Sequence, residues 1–183
     1  AEIGERREAV LAVTIPERPG ALKKFCAILG DHNVTEFNYR LADPKAAHIF
    51  VGLQIREAEK VSTLVRTLRQ HDYATLDMTD NEMAKLHIRH LVGGRAPNAH
   101  DEILYRFEFP ERPGALMNFL NKMGGGWNIS LFHYRSHGAD FGRVLVGMQV
   151  PSKDKTKFKK FLDSLGYEYA EETGNPAYKL FLS

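Results

Sequence analysis

Cysteine is almost absent from this chain of 183 residues. Cys26 stands alone, which excludes an internal disulfide and a cysteine-ligated zinc site and suits a reducing compartment. Charge of one sign is also scarce. The formal net charge of +2 gives no electrostatic case for nucleic acid or an acidic membrane surface. No apolar run approaches the roughly 18 residues of a membrane span. The sequence opens at Ala1 without a signal-like apolar segment, so secretion is not indicated and a cytoplasmic location is expected. Catalytic signatures are missing too. The histidines form no HExxH pattern, and His87 with His90 lacks further ligands at suitable spacing, so no metal site is expected. Gly124-Gly125-Gly126 lacks the Gly-Lys-Ser/Thr ending of a phosphate loop, and there is no Gly-x-Ser-x-Gly elbow. Cys26 falls on the apolar face of a helix, where a lone thiol is a core residue rather than a nucleophile. No catalytic residue is assigned.

What the chain does contain, it writes twice. Pro16-Glu17-Arg18-Pro19-Gly20-Ala21-Leu22 recurs unchanged, 94 residues later, as Pro110-Glu111-Arg112-Pro113-Gly114-Ala115-Leu116. Each copy follows an apolar run of strand type and precedes a helical pattern. The first proline closes the strand and the second suits a first helical turn. Gly20 and Gly114 permit a close approach or backbone torsions that a side chain forbids. The product is a helix start with unpaired N–H groups and no bulk above it, a place for a small anion such as a carboxylate. A bend kept for geometry alone would account for the prolines and glycines. It does not require the identical Glu-Arg, so the bend is read as a binding element.

The elements around the bends also repeat. Val10–Ile15 is a strand, and Leu22, Phe25, Cys26 and Leu29 fall at i, i+3, i+4 and i+7 of a helix. Val34–Leu41 alternates, with Phe37 and Tyr39 on one face and Glu36, Asn38 and Arg40 on the other. Ile49–Ile55 is apolar enough for a central strand, Val61, Leu64, Val65 and Leu68 repeat the helical spacing, and Tyr73–Met78 is a fourth strand. The second half retells this order with Leu104–Phe109, then Leu116, Phe119, Leu120 and Met123, then the strands around Tyr134 and Val146–Val150, then Phe158, Phe161, Leu162 and Leu165, and a strand from Tyr167. The fold class is therefore α+β: two tandem βαββαβ ferredoxin-like modules, antiparallel sheets with helices on one face. The first module is placed at residues 8–92, a Gly/Pro-rich linker at 93–99, and the second module at 100–183. Each has a tail. Asp80 is expected to cap a short helix through Lys85, Leu86–Val92 to be extended, and Tyr178–Leu182 to form a short terminal strand. Whether such tails would pair with their own sheet or with the neighbour's is left open.

Other repeated residues admit two readings. Asn33 and Asn128 stand just before a strand, where an amide binds ligand or closes a local turn. Tyr39-Arg40 and Tyr134-Arg135 lie on the second strand of each module, either as core or beside a ligand. Arg89 has no arginine counterpart in the second tail, and is the candidate to hold a carboxylate bidentately.

The Pro-x-x-Pro-Gly-Ala-Leu bends, the βαββαβ order and the Asn before the second strand resemble the ACT family of small-molecule regulatory domains. Val13–Pro16, Val34–Arg40, Ile49–Gly52 and Asn128–Gly138 are more specifically similar to the C-terminal regulatory domains of biosynthetic threonine deaminase (L-threonine ammonia-lyase), over about Arg7 to Leu182. That resemblance implies two ACT-like modules following a pyridoxal-phosphate (PLP)-dependent catalytic domain that converts L-threonine to 2-oxobutanoate and ammonia. It implies isoleucine as inhibitor, valine as its antagonist, and a tetrameric parent. This chain would then be the regulatory part, with no cofactor of its own. The effector-binding residues expected on these grounds are Tyr39, Arg89 and Tyr134, with Gly20, Ala21, Leu22 and Asn33, and with Gly114, Ala115, Leu116 and Asn128. Two rivals remain: a free-standing ACT-repeat sensor, and an RNA-binding split-βαβ sheet, which the near-neutral charge and missing basic-aromatic set argue against.

Overall fold

The computed structural model describes residues 7–56, 60–82, 84–88, 94–111, 114–123, 126–135 and 141–183. In the first half, β1 (Arg7–Pro16) leads through the bend to α1 (Ala21–Leu29), then β2 (Asn33–Arg40), β3 (Ala46–Ile55), α2 (Val61–Gln70) and β4 (Ala74–Asp77). The second half gives β5 (Glu102–Pro110), α3 (Ala115–Met123), β6 (Asn128–Arg135), β7 (Phe141–Gln149), α4 (Lys155–Leu165) and β8 (Glu168–Glu171). Both halves are βαββαβ.

The two four-stranded sheets do not end at each other's edge. They join through β2 and β6 into one antiparallel eight-stranded sheet of order β4-β1-β3-β2-β6-β7-β5-β8. Across that seam Phe37 faces Tyr134 and Tyr39 faces Phe132. Side chains alternate along a strand, so the seam sends these four rings to one face of the sheet and Glu36, Asn38 and Arg40 to the other. The helical periodicity holds: Leu22, Phe25, Cys26 and Leu29 of α1 and Leu116, Phe119, Leu120 and Met123 of α3 are all buried. They share one core with the strands of both halves. Edge-to-face ring contacts run from α1 across the junction, with Phe25 to Phe37 at 6.0 Å within the first half and Phe37 to Phe132 at 5.3 Å between the halves.

One irregularity repeats and has a steric cause. The ladder shifts between Val34 and Glu36, and again between Ile129 and Leu131, which leaves Thr35 and Ser130 as bulge residues. Each hydroxyl donates to a glutamate on the first strand of its half, Thr35 Oγ1 to Glu8 Oε2 at 3.0 Å and Ser130 Oγ to Glu102 Oε2 at 2.5 Å. The glycine opposite makes room, since a Cβ at Gly52 would lie 2.6 Å from Thr35 Oγ1, and one at Gly147 would lie 2.9 Å from Leu131 Cβ.

The tails differ from expectation. Tyr178–Leu182 is not a terminal strand: Pro176–Phe181 is a short helix, α5. Asn175 Oδ1 accepts the Ala177 N–H at 2.9 Å and Pro176 takes the first helical position, a start signal that outweighs the β-type residues after it. In the first tail the cap is Asn81, whose side chain accepts from the Ala84 N–H at 3.0 Å, rather than Asp80. Ala84–Ile88 is a π-helical turn, so the start of the supposed extended run is wound, and 89–92 lie outside the described residues. Ala84 covers Val10 and Phe50, while Tyr178 of α5 covers Leu104 and Leu131, on the face opposite the main helices.

Arg40 anchors that second face. Its Nη1 lies 2.6 Å from Glu102 Oε2, with both side chains only 4% exposed. Its Nε donates to the Gly94 carbonyl at 2.9 Å and its Nη2 to the Leu182 carbonyl at 2.7 Å. Glu102 also accepts from the Tyr178 hydroxyl at 2.6 Å. One guanidinium thus ties the first half to the second half, to the connection between them and to the terminal helix. Removing one partner of such a pair strands the other charge away from water. Arg40→Leu should therefore lower the unfolding free energy by about 3–5 kcal/mol in urea titrations; a loss below about 1 kcal/mol would show that the network contributes little.

Candidate functional site

The first bend closes a cleft against the second half. Gly20 has φ 83°, a conformation that side chains rarely adopt, and starts α1 with no capping side chain. The Ala21 N–H donates to the Arg18 carbonyl at 3.2 Å, so the first-turn N–H groups of α1 left at the glycine floor are those of Leu22 and Lys23. Ile15, Glu17, Ala21 and Leu22 line one wall, Tyr39 and Ala47 come from β2 and β3, and Leu120, Met123, Asn128 and Ile129 close it from α3 and β6. Of the residues expected from sequence, Gly20, Ala21, Leu22, Tyr39 and Asn128 thus meet in one place. The cleft measures about 350 Å³ including its mouth. Its interior has room for about one water molecule.

Two polar atoms inside it are unsatisfied. Neither the Tyr39 hydroxyl nor Glu17 Oε1, both buried, has a hydrogen-bond partner among the described residues. Buried polar atoms are almost always paired, so two orphans in one cleft call for an explanation. Burial pushes the Glu17 carboxyl up to about 7, opposed by a hydrogen bond from the Asn128 side chain. The cleft therefore presents a carboxyl group that is largely protonated below neutral pH. Arg18 and Lys23 stand exposed at its mouth.

The second copy is arranged differently. Tyr134, the counterpart of Tyr39, donates its hydroxyl to Glu111 Oε1 at 2.5 Å. Gly114 has φ 78°, and Ala115 and Leu116 are buried at the start of α3. The difference has a sequence cause at a matching position of β3 and β7. Ala47 pairs with Ile15, whereas Gly142 pairs with Phe109. A Cβ at Gly142 would come within 2.6 Å of Glu111 Oε2 and 2.6 Å of Phe109 Cε2. The missing methyl lets the larger phenyl ring and the glutamate fold inward, and Tyr134 is satisfied from within. In the first copy the Ala47 methyl occupies that space.

Asn33 and Asn128 both bond across their strand pair, to Gln54 Oε1 at 2.9 Å and to Gln149 Oε1 at 2.8 Å. Asn128 alone lines the cleft. Arg89 lies outside the described residues. Arg40 turns away from the cleft into its ion pair, as alternation along β2 requires. Glu17 was not on the expected list, although its signal was present: it is the acidic residue that both bends keep. Cys26 is buried with its thiol pushed up to about 12 by desolvation, which leaves it inert. Among the described residues no cluster of histidine, cysteine and carboxylate side chains is suited to a metal, and no helix is long and apolar enough to cross a membrane.

Paired ferredoxin-like halves joined edge to edge, with a glycine-floored cleft between them, define a tandem ACT-like regulatory domain. The model of the C-terminal regulatory domain of threonine dehydratase matches residues 1–88 and 93–182, and the chain belongs to that family. It is 59% identical over its whole length to the L-threonine dehydratase biosynthetic IlvA of Burkholderia multivorans and 52% to that of Escherichia coli, covering 36% and 35% of those proteins. Against the threonine dehydratase 1 biosynthetic, chloroplastic, of Solanum lycopersicum it is 46% identical, again over its whole length and 30% of the relative. The chain thus spans about a third of the curated relatives it matches.

The Glu17 shift has a sign that can be checked. A carboxyl whose folded pKa is raised stabilises the fold below its ordinary value near 4.5 and loses that contribution as pH rises through about 7. Stability should therefore decline across this window. Glu17→Gln should remove that decline, as read by thermal melts at stepped pH, and an unchanged slope would mean the carboxyl is solvated.

Proposed function

We propose that the chain is the effector-sensing part of a PLP-dependent threonine deaminase, binding isoleucine as inhibitor and valine as antagonist. The parent enzyme would convert L-threonine to 2-oxobutanoate and ammonia as a cytoplasmic tetramer. PLP belongs with its catalytic domain; the present chain contributes binding, orientation and coupling. The modules are taken as 8–92 and 100–183, joined by 93–99.

The observation that supports this reading is the pair of orphaned polar atoms in a cleft shared by both halves. An α-amino acid has the matching chemistry. Its carboxylate suits the N–H groups at the start of α1, with Arg18 and Lys23 nearby and Arg89 as a further proposed partner. Its branched side chain suits the wall of Leu22, Ala47, Leu120, Met123 and Ile129. The interior is too small for such a guest as it stands, so binding must part the first bend from α3 and β6. A ligand that alters how the two halves meet has a physical route to an attached domain.

Contact alone does not separate the two effectors. Isoleucine and valine differ by one methylene, worth about 1 kcal/mol. Opposed effects therefore require different state preferences, isoleucine favouring the inhibited arrangement and valine the active one, or separate sites in the two modules. Isoleucine at about 100 times its dissociation constant should stabilise this chain by about 2.7 kcal/mol, seen as an upward shift of its thermal midpoint. Tyr39→Phe should shrink the shift and Tyr134→Phe should shrink it less. A chain unmoved by either amino acid would defeat the proposal.

A further inference from the structure

We propose that Glu17, with the Tyr39 hydroxyl and the Asn128 amide, is the receptor for the primary ammonium group of the effector, and so restricts the cleft to free amino acids. The inference rests on the reading of the cleft as an amino-acid site and assigns to a residue of this chain the part of the ligand which that reading leaves without a partner.

Three observations carry it. Glu17 Oε1 and the Tyr39 hydroxyl are both buried and unpartnered, and they line the same cleft. An ammonium group offers three donors, and a carboxylate and a phenol oxygen are both acceptors for it. The corresponding pair in the second half is present but used up, since Tyr134 donates to Glu111. The same two residue types are thus self-satisfied in one copy and left open in the other, which a purely structural glutamate does not explain. The third observation is the identity of the wall that holds Glu17. Its N–H is fixed to the Lys45 carbonyl at 3.0 Å, and Asn128 of the other half lines the same cleft. The backbone that carries the carboxyl is thus anchored within the first half, and the wall it faces comes from the second.

The charge balance follows. The groups facing Glu17 are Arg18 on the bend, Lys23 on α1, Tyr39 on β2 and neutral Asn128 on β6, while α3 contributes only Leu120 and Met123. The two cations stand exposed at the mouth, where the ligand's carboxylate would meet them. Inside, burial favours the protonated carboxyl of the empty cleft. An entering ammonium group replaces that proton with a cation, so the carboxyl ionises and a proton leaves to solvent. Affinity should then rise with pH between about 5 and about 7 and level off above. An effector without an amino group brings no cation and gains nothing from the ionised carboxyl.

Calorimetric titration of the chain with isoleucine tests this, run at about pH 6 in two buffers of different ionisation heat, which counts protons released. The expected result is net proton release on binding to the wild-type chain. Glu17→Gln, nearly isosteric, should weaken isoleucine by about tenfold or more and abolish the release. Glu168→Gln, at an exposed position of β8, should leave both unchanged, and thermal melts of each variant confirm folding. The desamino analogue 3-methylpentanoate should fail to compete. Isoleucine bound equally well by wild type and Glu17→Gln, or 3-methylpentanoate bound as tightly as isoleucine, would overturn the assignment while leaving the cleft an effector site. No isoleucine binding to the wild-type chain would overturn both.

Discussion

The pairing of β2 with β6 is the constraint on which the rest depends. A lone βαββαβ module would leave β2 at the edge of its sheet, with a row of backbone groups and an aromatic face open to water. Joining the two second strands satisfies both rows and places Phe37 against Phe132 in a single core. The helices must then follow. Helices α1 and α3 pack on one another across the seam, and the bend that starts α1 faces the end of α3. The cleft exists because the sheets are joined in this way. Neither half holds it alone, since Tyr39 and Glu17 come from one side and Asn128 and Met123 from the other.

Duplication sets up two such places, and small differences make them unequal. The bends are identical in sequence, so the inequality must come from what surrounds them. A methyl at Ala47 opposite Ile15, against bare Gly142 opposite Phe109, is sufficient on steric grounds. Close-packed interiors respond to a single methyl group, because no slack exists to absorb it. The open site in the first half and the satisfied site in the second thus follow from exchanging bulk between neighbouring strands.

Much of this was legible in the sequence, and the parts that were not share a cause. Period-2 and period-3.6 patterns report which face of an element is buried, so the strands and the faces of α1 to α4 could be read locally. The bends, Tyr39 and Asn128 could be singled out because the repeat displays them. What pattern cannot report is pairing between distant segments: that β2 meets β6, that Asn128 crosses to the first bend, and that Arg40 leaves Tyr39's side for Glu102. The terminal helix was misread because Tyr178, Leu180 and Phe181 have strand-like character in isolation, while the decisive signal, Asn175-Pro176, stands before them. Glu17 was passed over for a different reason. An acidic residue on a turn is ordinarily solvated, and only the burial of its carboxyl in the closed cleft makes it exceptional.

Tyr39 and Arg40 are neighbours on β2 and point to opposite faces of one sheet. The first ends in the cleft with its hydroxyl unpaired. The second holds Glu102, the Gly94 carbonyl and the Leu182 carbonyl in a buried network with little exposure. Charged hydrogen bonds at these distances have a narrow range of acceptable geometry, so the network opposes sliding of β2. Any parting of the first bend from the second half would act on the same strand from the other side. Arg40, on the far side of that strand, is bonded to the connection between the halves and to the Leu182 carbonyl. Cleft, connection and terminal helix are therefore joined through two adjacent residues of one strand, Tyr39 and Arg40.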